Sequence, residues 1–223
     1  MRKIFVTAVA IAVLALAIPA LVQADVRMGA SVGDQGLNNF YLSVGAYNNV
    51  QQQDVVAVRQ QGIPDEELPV VFFMASKAGV STREIVRLRL KHWGWMKIAA
   101  KYNLDPSTFY VPVNGEVTGG IYGKTYRNFN GKPQKKWKKI KLSDEDVVNF
   151  VNLRFVSEHH GYTPEQVIKM REDGKNFVTI NNDITVEKTK HQKKKWFWEK
   201  HDDKDQKDNN NSDRDDHDKH DHR

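Results

Sequence analysis

One stretch of fourteen residues recurs three times in this chain, and it constrains the fold more than any other feature. The copies occupy residues 55–68, 85–98 and 167–180. Aligned without gaps, each copy begins with two β-branched apolar residues and ends on leucine or isoleucine. Each also has an arginine at its fifth position: Arg59, Arg89 and Arg171. Because so short a unit cannot bury its own apolar face, the copies are expected to pack together.

The second and third copies also match upstream, where residues 79–84 align with residues 161–166. Both stretches contain a capping box, in which a Ser or Thr and a Glu or Gln satisfy each other's backbone donors. The pairs are Ser81 with Glu84 and Thr163 with Gln166. An apolar helix ending at glycine is predicted before each start, over residues 66–78 and 144–160.

These patterns predict a mainly α fold with two related helical units, residues 53–113 and 143–186. Each unit consists of an apolar helix, a turn and a capped helix. A connector rich in Gly, Tyr and Lys, residues 114–142, joins them, and residues 25–52 form an N-terminal segment. The repeated arginines suggest a ligand-binding set. We expect a structural role instead, because an arginine near a helix C-terminus favours the helix dipole and covers the core with its stem.

Two stretches predict minor β structure. Residues 39–48 alternate apolar and polar side chains, which is typical of a strand. Residues 177–186 place two runs rich in β-branched residues on either side of an Asn-Asn-Asp turn, as in a hairpin. The repeat predicts helix for part of this second stretch, so both alternatives stay open. We favour the extended form there.

Residues 1–24 have the pattern of a cleaved export signal. Arg2 and Lys3 precede a continuous apolar run from Ile4 to Ala17, and small residues near Ala24 favour cleavage after it. The run is shorter than the ~20 residues that cross a bilayer as a helix. We therefore expect a periplasmic or secreted protein, for which ATP, NAD and genomic DNA are out of reach.

Composition narrows the range of functions. The chain has no cysteine, so disulfides, a lipidated cysteine and a thiol nucleophile are all excluded. No second apolar run reaches membrane length. The motifs of serine hydrolases, zinc proteases and phosphate-binding loops are missing from the sequence. We therefore expect a protein that is not an enzyme and needs no cofactor.

Residues 81–110 resemble a helix-turn-helix unit. The residues that fit its packing pattern are Ile98, Ala99, Leu104 and Phe109. However, Pro112 follows the third element almost at once and leaves little helix to lie in a major groove. Side chains that read base edges are also scarce there. We expect a packing unit that binds no nucleic acid, and we treat a nucleic-acid binder or a cell-envelope enzyme as remote alternatives.

Residues 68–113 and 147–180 resemble stretches of uncharacterised exported proteins of Gram-negative bacteria. The resemblance implies export and supports the pairing of the two helical units. It implies no activity, cofactor or ligand.

The chain ends in a basic aromatic segment, residues 187–200, followed by an Asp- and His-rich tail, residues 201–223, that is predicted to be disordered. Imidazole and carboxylate groups bind divalent metal ions, so the tail is a candidate weak metal site. Its candidate ligands are His217, His220, His222, Asp218 and Asp221.

The basic aromatic segment combines cations with amphipathic rings, which suits an anionic envelope surface or another polyanion. Its candidate contact residues are Lys193, Lys194, Lys195, Trp196 and Trp198. The alternative is that the tryptophans fold back on the core and the lysines are simply solvated. A second lysine run, residues 132–141, could extend the same basic face but is more typical of a solvated loop. The predicted function is an envelope binding or adaptor module, with a periplasmic metal-buffering or metal-responsive protein as the alternative.

Overall fold

The computed structural model describes the backbone of residues 33–212 and the side chains of residues 33–196. Over residues 33–212 every regular element is a helix, so the predicted mainly α fold is confirmed. The first five α-helices are α1 (Asp34–Asn48), α2 (Gln52–Gln60), α3 (Leu68–Ala78), α4 (Thr82–Leu90) and α5 (Trp95–Lys101). The next four are α6 (Gly120–Asn130), α7 (Asp144–His160), α8 (Pro164–Glu172) and α9 (Phe177–Ser212). Short 3-10 helices lie at Asp65–Glu67, Pro106–Thr108 and Gln134–Lys139.

The helix boundaries follow the spacing of the repeated sequence. α4 and α8 begin at aligned positions just before the second and third copies. α5 and α9 begin at aligned positions within these copies. The helices that precede α4 and α8 end at left-handed glycines, Gly79 with φ 66° and Gly161 with φ 75°. α1 ends at the corresponding position of the first copy, with Asn49 at φ 54°. Glycine and asparagine tolerate this conformation best, so the same turn recurs where the sequence supplies them.

Of the two predicted capping boxes, the one at α8 has both of its hydrogen bonds and the one at α4 has only one of them. At α8 the Thr163 and Gln166 side chains each accept a hydrogen bond from the other's backbone N–H. At α4 the Ser81 hydroxyl accepts from the Glu84 N–H at 3.4 Å. The Glu84 carboxylate, however, accepts from the Tyr102 hydroxyl at 2.7 Å, which ties α4 to the end of α5.

Two of the three repeated arginines, Arg89 and Arg171, have the structural role expected from the sequence. The Arg89 Nη1 donates to the Trp93 carbonyl at 3.0 Å, and its guanidinium lies 4.7 Å from the Trp95 ring centre. In the equivalent place, Arg171 Nη1 donates to the Lys175 carbonyl at 2.8 Å and its guanidinium lies 5.1 Å from the Phe177 ring. Both side chains therefore hold the turn that leads into the next helix.

The predicted strand at residues 39–48 is wrong, because these residues belong to α1. The side chains of Phe40 and Val44 are buried and lie four residues apart, which is a helical spacing. Leu42, which the alternating pattern placed on the buried face, is 47% exposed. So short a stretch does not let periodicity alone separate a helix from a strand.

The predicted hairpin at residues 177–186 is also wrong, because this stretch begins α9. Its buried positions have helical spacing: Phe177, Val178, Ile180, Asn181 and Ile184. The Asn-Asn-Asp sequence that favoured a turn is used in packing contacts instead. Asn181 is fully buried, and its Oδ1 lies 2.8 Å from His160 Nε2.

The core is built around α3 and α7. Every side chain from Leu68 to Ala75 is buried in α3. α7 contacts α1, α3, α5, α6, α8 and α9. The sequence between the two units is also folded against α7, through a cluster of six rings. These belong to Tyr110, Tyr122, Tyr126, Phe129, Trp137 and Phe150.

Candidate functional site

α9 has a docked part and an exposed part. The buried side chains end at Ile184, and every side chain from Val186 to Trp196 is exposed. At about 1.5 Å per residue, this stretch extends over roughly 15 Å of helix. We call residues 186–196 the α9 arm. The basic aromatic segment is therefore the continuation of a packed helix.

Three polar contacts fix the start of the arm. Asn39 Nδ2 in α1 donates to Asn182 Oδ1 at 3.0 Å. His160 Nε2 at the end of α7 lies 2.8 Å from Asn181 Oδ1. Lys188 Nζ donates to the His160 carbonyl at 2.8 Å. The arm thus leaves the core from a position that two other helices define.

The arm is strongly cationic, with five lysines against one glutamate. The lysines are Lys188, Lys190, Lys193, Lys194 and Lys195. Consecutive helical residues point about 100° apart, so Lys193, Lys194 and Lys195 spread around the helix and do not form one flat patch. Lys190, Lys193 and Lys194 have the i, i+3, i+4 spacing that shares a face. Lys190 is the member of this face that the run of three consecutive lysines did not reveal.

Trp196 is 62% exposed, which contradicts the alternative in which it folds back on the core. It stands three residues after Lys193, so the two side chains lie on neighbouring parts of the helix surface. The Trp198 side chain lies outside the part of the chain that the structure describes. Cation and indole are therefore presented together at the end of the arm.

The predicted metal ligands of the tail lie outside the described residues. These are His217, His220, His222, Asp218 and Asp221. Among the side chains of residues 33–196, no group of three or more His, Asp or Glu has the arrangement of a metal site. The adjacent His159 and His160 have other partners: His159 stacks on the Phe155 ring at 5.7 Å, and His160 is hydrogen-bonded to Asn181.

Burial lowers the pKa of His160 to about 4, and the nearby His159 and Lys188 act in the same direction. An unfolded histidine titrates near 6.5, so the unfolded chain binds more protons between these two values. The free energy of unfolding should therefore fall as the pH decreases from about 6.5 to 4, by about 2 kcal/mol from this group once solvent screening of the partly exposed ring is discounted. Urea unfolding of His160→Gln should show a shallower pH dependence in this range. The control His191→Gln, at a position that is 76% exposed, should keep the pH dependence of the unmodified chain. An equal change of pH dependence in the His160 and His191 variants would contradict the role given to His160.

An open cleft of about 590 Å³ lies between the ends of α1 and α3 and the middle of α7. The phenol, carboxylate and guanidinium groups in its lining are bound to one another. The Tyr47 hydroxyl donates to Glu158 Oε2 at 2.5 Å, and Arg154 lies 3.5 Å from the other oxygen of Glu158. Burial, followed by the contact with Glu158, raises the pKa of Tyr47. These contacts hold α1 against α7, and both oxygens of the Glu158 carboxylate already have partners.

The region that resembles a helix-turn-helix contains α4, α5 and a short 3-10 helix at Pro106–Thr108. In the DNA-binding motif, the element in this third place is a full helix that lies in the major groove. A three-residue turn cannot supply that length. Its end is packed into the core, since Phe109 is fully buried.

Sequence reasoning missed the fixed geometry of one surface. The lysine run at residues 132–141, expected to be a solvated loop, contains the 3-10 helix Gln134–Lys139. Trp137 holds this helix in place, since its indole N–H is shared between the Phe129 and Lys132 carbonyls at 3.0 and 2.9 Å. The signal in the sequence was the single tryptophan at the centre of the lysines, which calls for a packing partner.

No helix in the described part of the chain is both long and apolar enough to cross a membrane. No protein family, characterised protein or solved structure matches the chain.

Proposed function

We propose that this protein is a non-enzymatic binding module of the cell envelope that attaches to an anionic lipid surface through the α9 arm. The observation that carries the proposal is that α9 continues beyond the core as an exposed helix with five lysines and one glutamate. The export signal predicted at residues 1–24 would bring the protein to such surfaces.

Electrostatics supports this function. A lysine near an anionic leaflet contributes about 1 kcal/mol, and the attraction decays within one Debye length, about 8 Å at physiological salt. The shared face of Lys190, Lys193 and Lys194 would therefore contribute about 3 kcal/mol. The exposed ring of Trp196 would add contact at the headgroup level, where indoles are favoured.

The cleft supports a binding role over an enzymatic one. Its carboxylate, phenol and guanidinium are one another's partners, as the contacts among Tyr47, Glu158 and Arg154 indicate. A general base needs an acceptor that can reach a substrate proton. In this cleft the carboxylate serves to join helices.

The test is sedimentation with vesicles of phosphatidylglycerol and phosphatidylcholine, using the chain without residues 1–24. Changing Lys190, Lys193 and Lys194 to Gln should weaken binding at least tenfold, and Trp196→Ala should weaken it about threefold. A matched control changes three exposed lysines elsewhere in the described chain to Gln: Lys91, Lys101 and Lys169. Equal losses in the control and the arm variant would show that only net charge matters and would reject the arm as the binding element.

A further inference from the structure

The lysine run at residues 132–141 forms a fixed cationic surface, which we call the lysine turn. Its six lysines are all exposed: Lys132, Lys135, Lys136, Lys138, Lys139 and Lys141. The run contains no acidic residue. Among residues 33–196, none of the ion pairs includes any of these lysines. Six positive charges are thus held together without an internal counter-charge.

The backbone of the lysine turn keeps these charges close. A 3-10 helix has three residues per turn, so side chains at i and i+3 eclipse one another. This pairs Lys135 with Lys138 and Lys136 with Lys139, on the two sides of Trp137. Like charges in such proximity repel one another weakly in water, and an anion that lies against them relieves this repulsion.

The lysine turn is fastened to the core at its centre and at one end. The centre of the Trp137 ring lies 4.5 Å from the centre of the Tyr110 ring and 5.0 Å from that of the Phe129 ring. Ile140, near the end of the turn, and Leu142, directly after it, are buried. The lysines therefore cannot separate by unfolding the turn without exposing this packing. A surface fixed before binding loses little conformational entropy when the ligand arrives.

The chemistry of the lysine turn favours phosphate headgroups over nucleic-acid bases as ligands. Lysine offers a compact point charge that suits phosphate, whereas the planar arginine fork suits bidentate recognition. The one aromatic ring of the turn, Trp137, packs against Tyr110 and Phe129 and has a satisfied N–H, so it is poorly placed to stack on a nucleic-acid base.

We propose that the lysine turn is a second docking site for the phosphate headgroups of an anionic bilayer, separate from the α9 arm. This inference rests on the proposed function, because it names a further contact with the same kind of surface. Two attachment points on one chain raise the overall affinity beyond that of either alone, provided that both reach the surface together.

The test compares the unmodified chain, the variant Lys135→Gln/Lys136→Gln/Lys138→Gln, and the control Lys91→Gln/Lys101→Gln/Lys169→Gln, all without residues 1–24. Affinity for phosphatidylglycerol vesicles should fall at least tenfold in the turn variant and less than threefold in the control. The salt dependence of binding should also become shallower in the turn variant. Circular dichroism would check that the helical fold is kept, and Lys135→Arg/Lys136→Arg/Lys138→Arg should restore binding because it restores the charge.

The outcomes separate this inference from the proposed function. Unchanged vesicle affinity in the turn variant would overturn the lysine turn as a docking site. Weaker vesicle binding when Lys190, Lys193 and Lys194 are changed to Gln would still support the arm. Equal losses in the turn variant and the control would also overturn it. If the turn variant loses binding to inorganic polyphosphate but keeps vesicle binding, the site belongs to a soluble polyanion and the bilayer assignment is wrong.

Discussion

Replacing Arg89 by alanine is expected to lower the free energy of unfolding by about 3 kcal/mol. The Arg89 guanidinium pairs with both oxygens of Glu67, at 2.5 and 2.8 Å, and with Asp144 Oδ2 at 2.6 Å. Its side chain is only 19% exposed. Removing it leaves two carboxylates partly buried and close together, and it frees the turn before α5. Urea unfolding followed by circular dichroism would measure the change.

Arg59 is the matched control, since it occupies the same place in the first copy of the repeat. It pairs with Asp65 and is 42% exposed. Because exposed pairs contribute little, Arg59→Ala should cost less than about 1 kcal/mol. Similar losses for Arg59→Ala and Arg89→Ala would contradict the view that Arg89 joins the two helical units through Asp144.

Replacing Trp137 by alanine is expected to have a comparable effect, about 3 kcal/mol, because a large ring is removed from the aromatic cluster. The change also removes the indole donor shared by the Phe129 and Lys132 carbonyls. We expect the lysine turn to lose its fixed geometry together with this stability. Thermal unfolding should show a lower midpoint, and anionic vesicles should bind more weakly even though all six lysines are retained.

Trp137→Phe separates packing from hydrogen bonding. A phenyl ring can keep part of the contact with Tyr110 and Phe129 but cannot donate to a carbonyl, so we expect a loss of about 1 kcal/mol. If Trp137→Ala were as stable as the unmodified chain, the indole would not be what holds the turn.

Much of the fold could be predicted from residues whose role is local. Pro164, Thr163 and Gly161 encode a helix end and a helix start within one short stretch, and the structure has both there. The spacing of the repeat placed α4 and α8 for the same reason. Helix starts and ends of this kind depend on a few neighbouring residues, so they can be predicted from the sequence alone.

The errors arose where tertiary contacts decide the structure. Asn181 favours a turn by itself, yet it is buried in α9 because α7 supplies His160 as its partner. Leu42 fits a strand pattern, yet α1 leaves it exposed and buries Phe40 and Val44. The fixed geometry of the lysine turn was missed because Tyr110, a ring partner of Trp137, lies before α6 and far from the lysines in the chain. In each case the competing interaction comes from an element that the local sequence does not contain.

The arm also shows the limit of reading a site from consecutive residues. Lys193, Lys194 and Lys195 look like a patch in the sequence, but a helix spreads them around its axis. The proposed contact face includes Lys190 and lies on one side of the helix. Its position is set by the docking of Asn182 on α1 and of Asn181 on α7.

The most direct test of the account is amide hydrogen exchange, by mass spectrometry, with and without phosphatidylglycerol vesicles. The account predicts slower exchange in the α9 arm and the lysine turn when anionic vesicles are present, and unchanged exchange in α3 and around the cleft. Phosphatidylcholine vesicles should leave all of these segments unchanged. Unaltered exchange in both the arm and the turn, at a vesicle concentration that sediments the protein, would contradict the account.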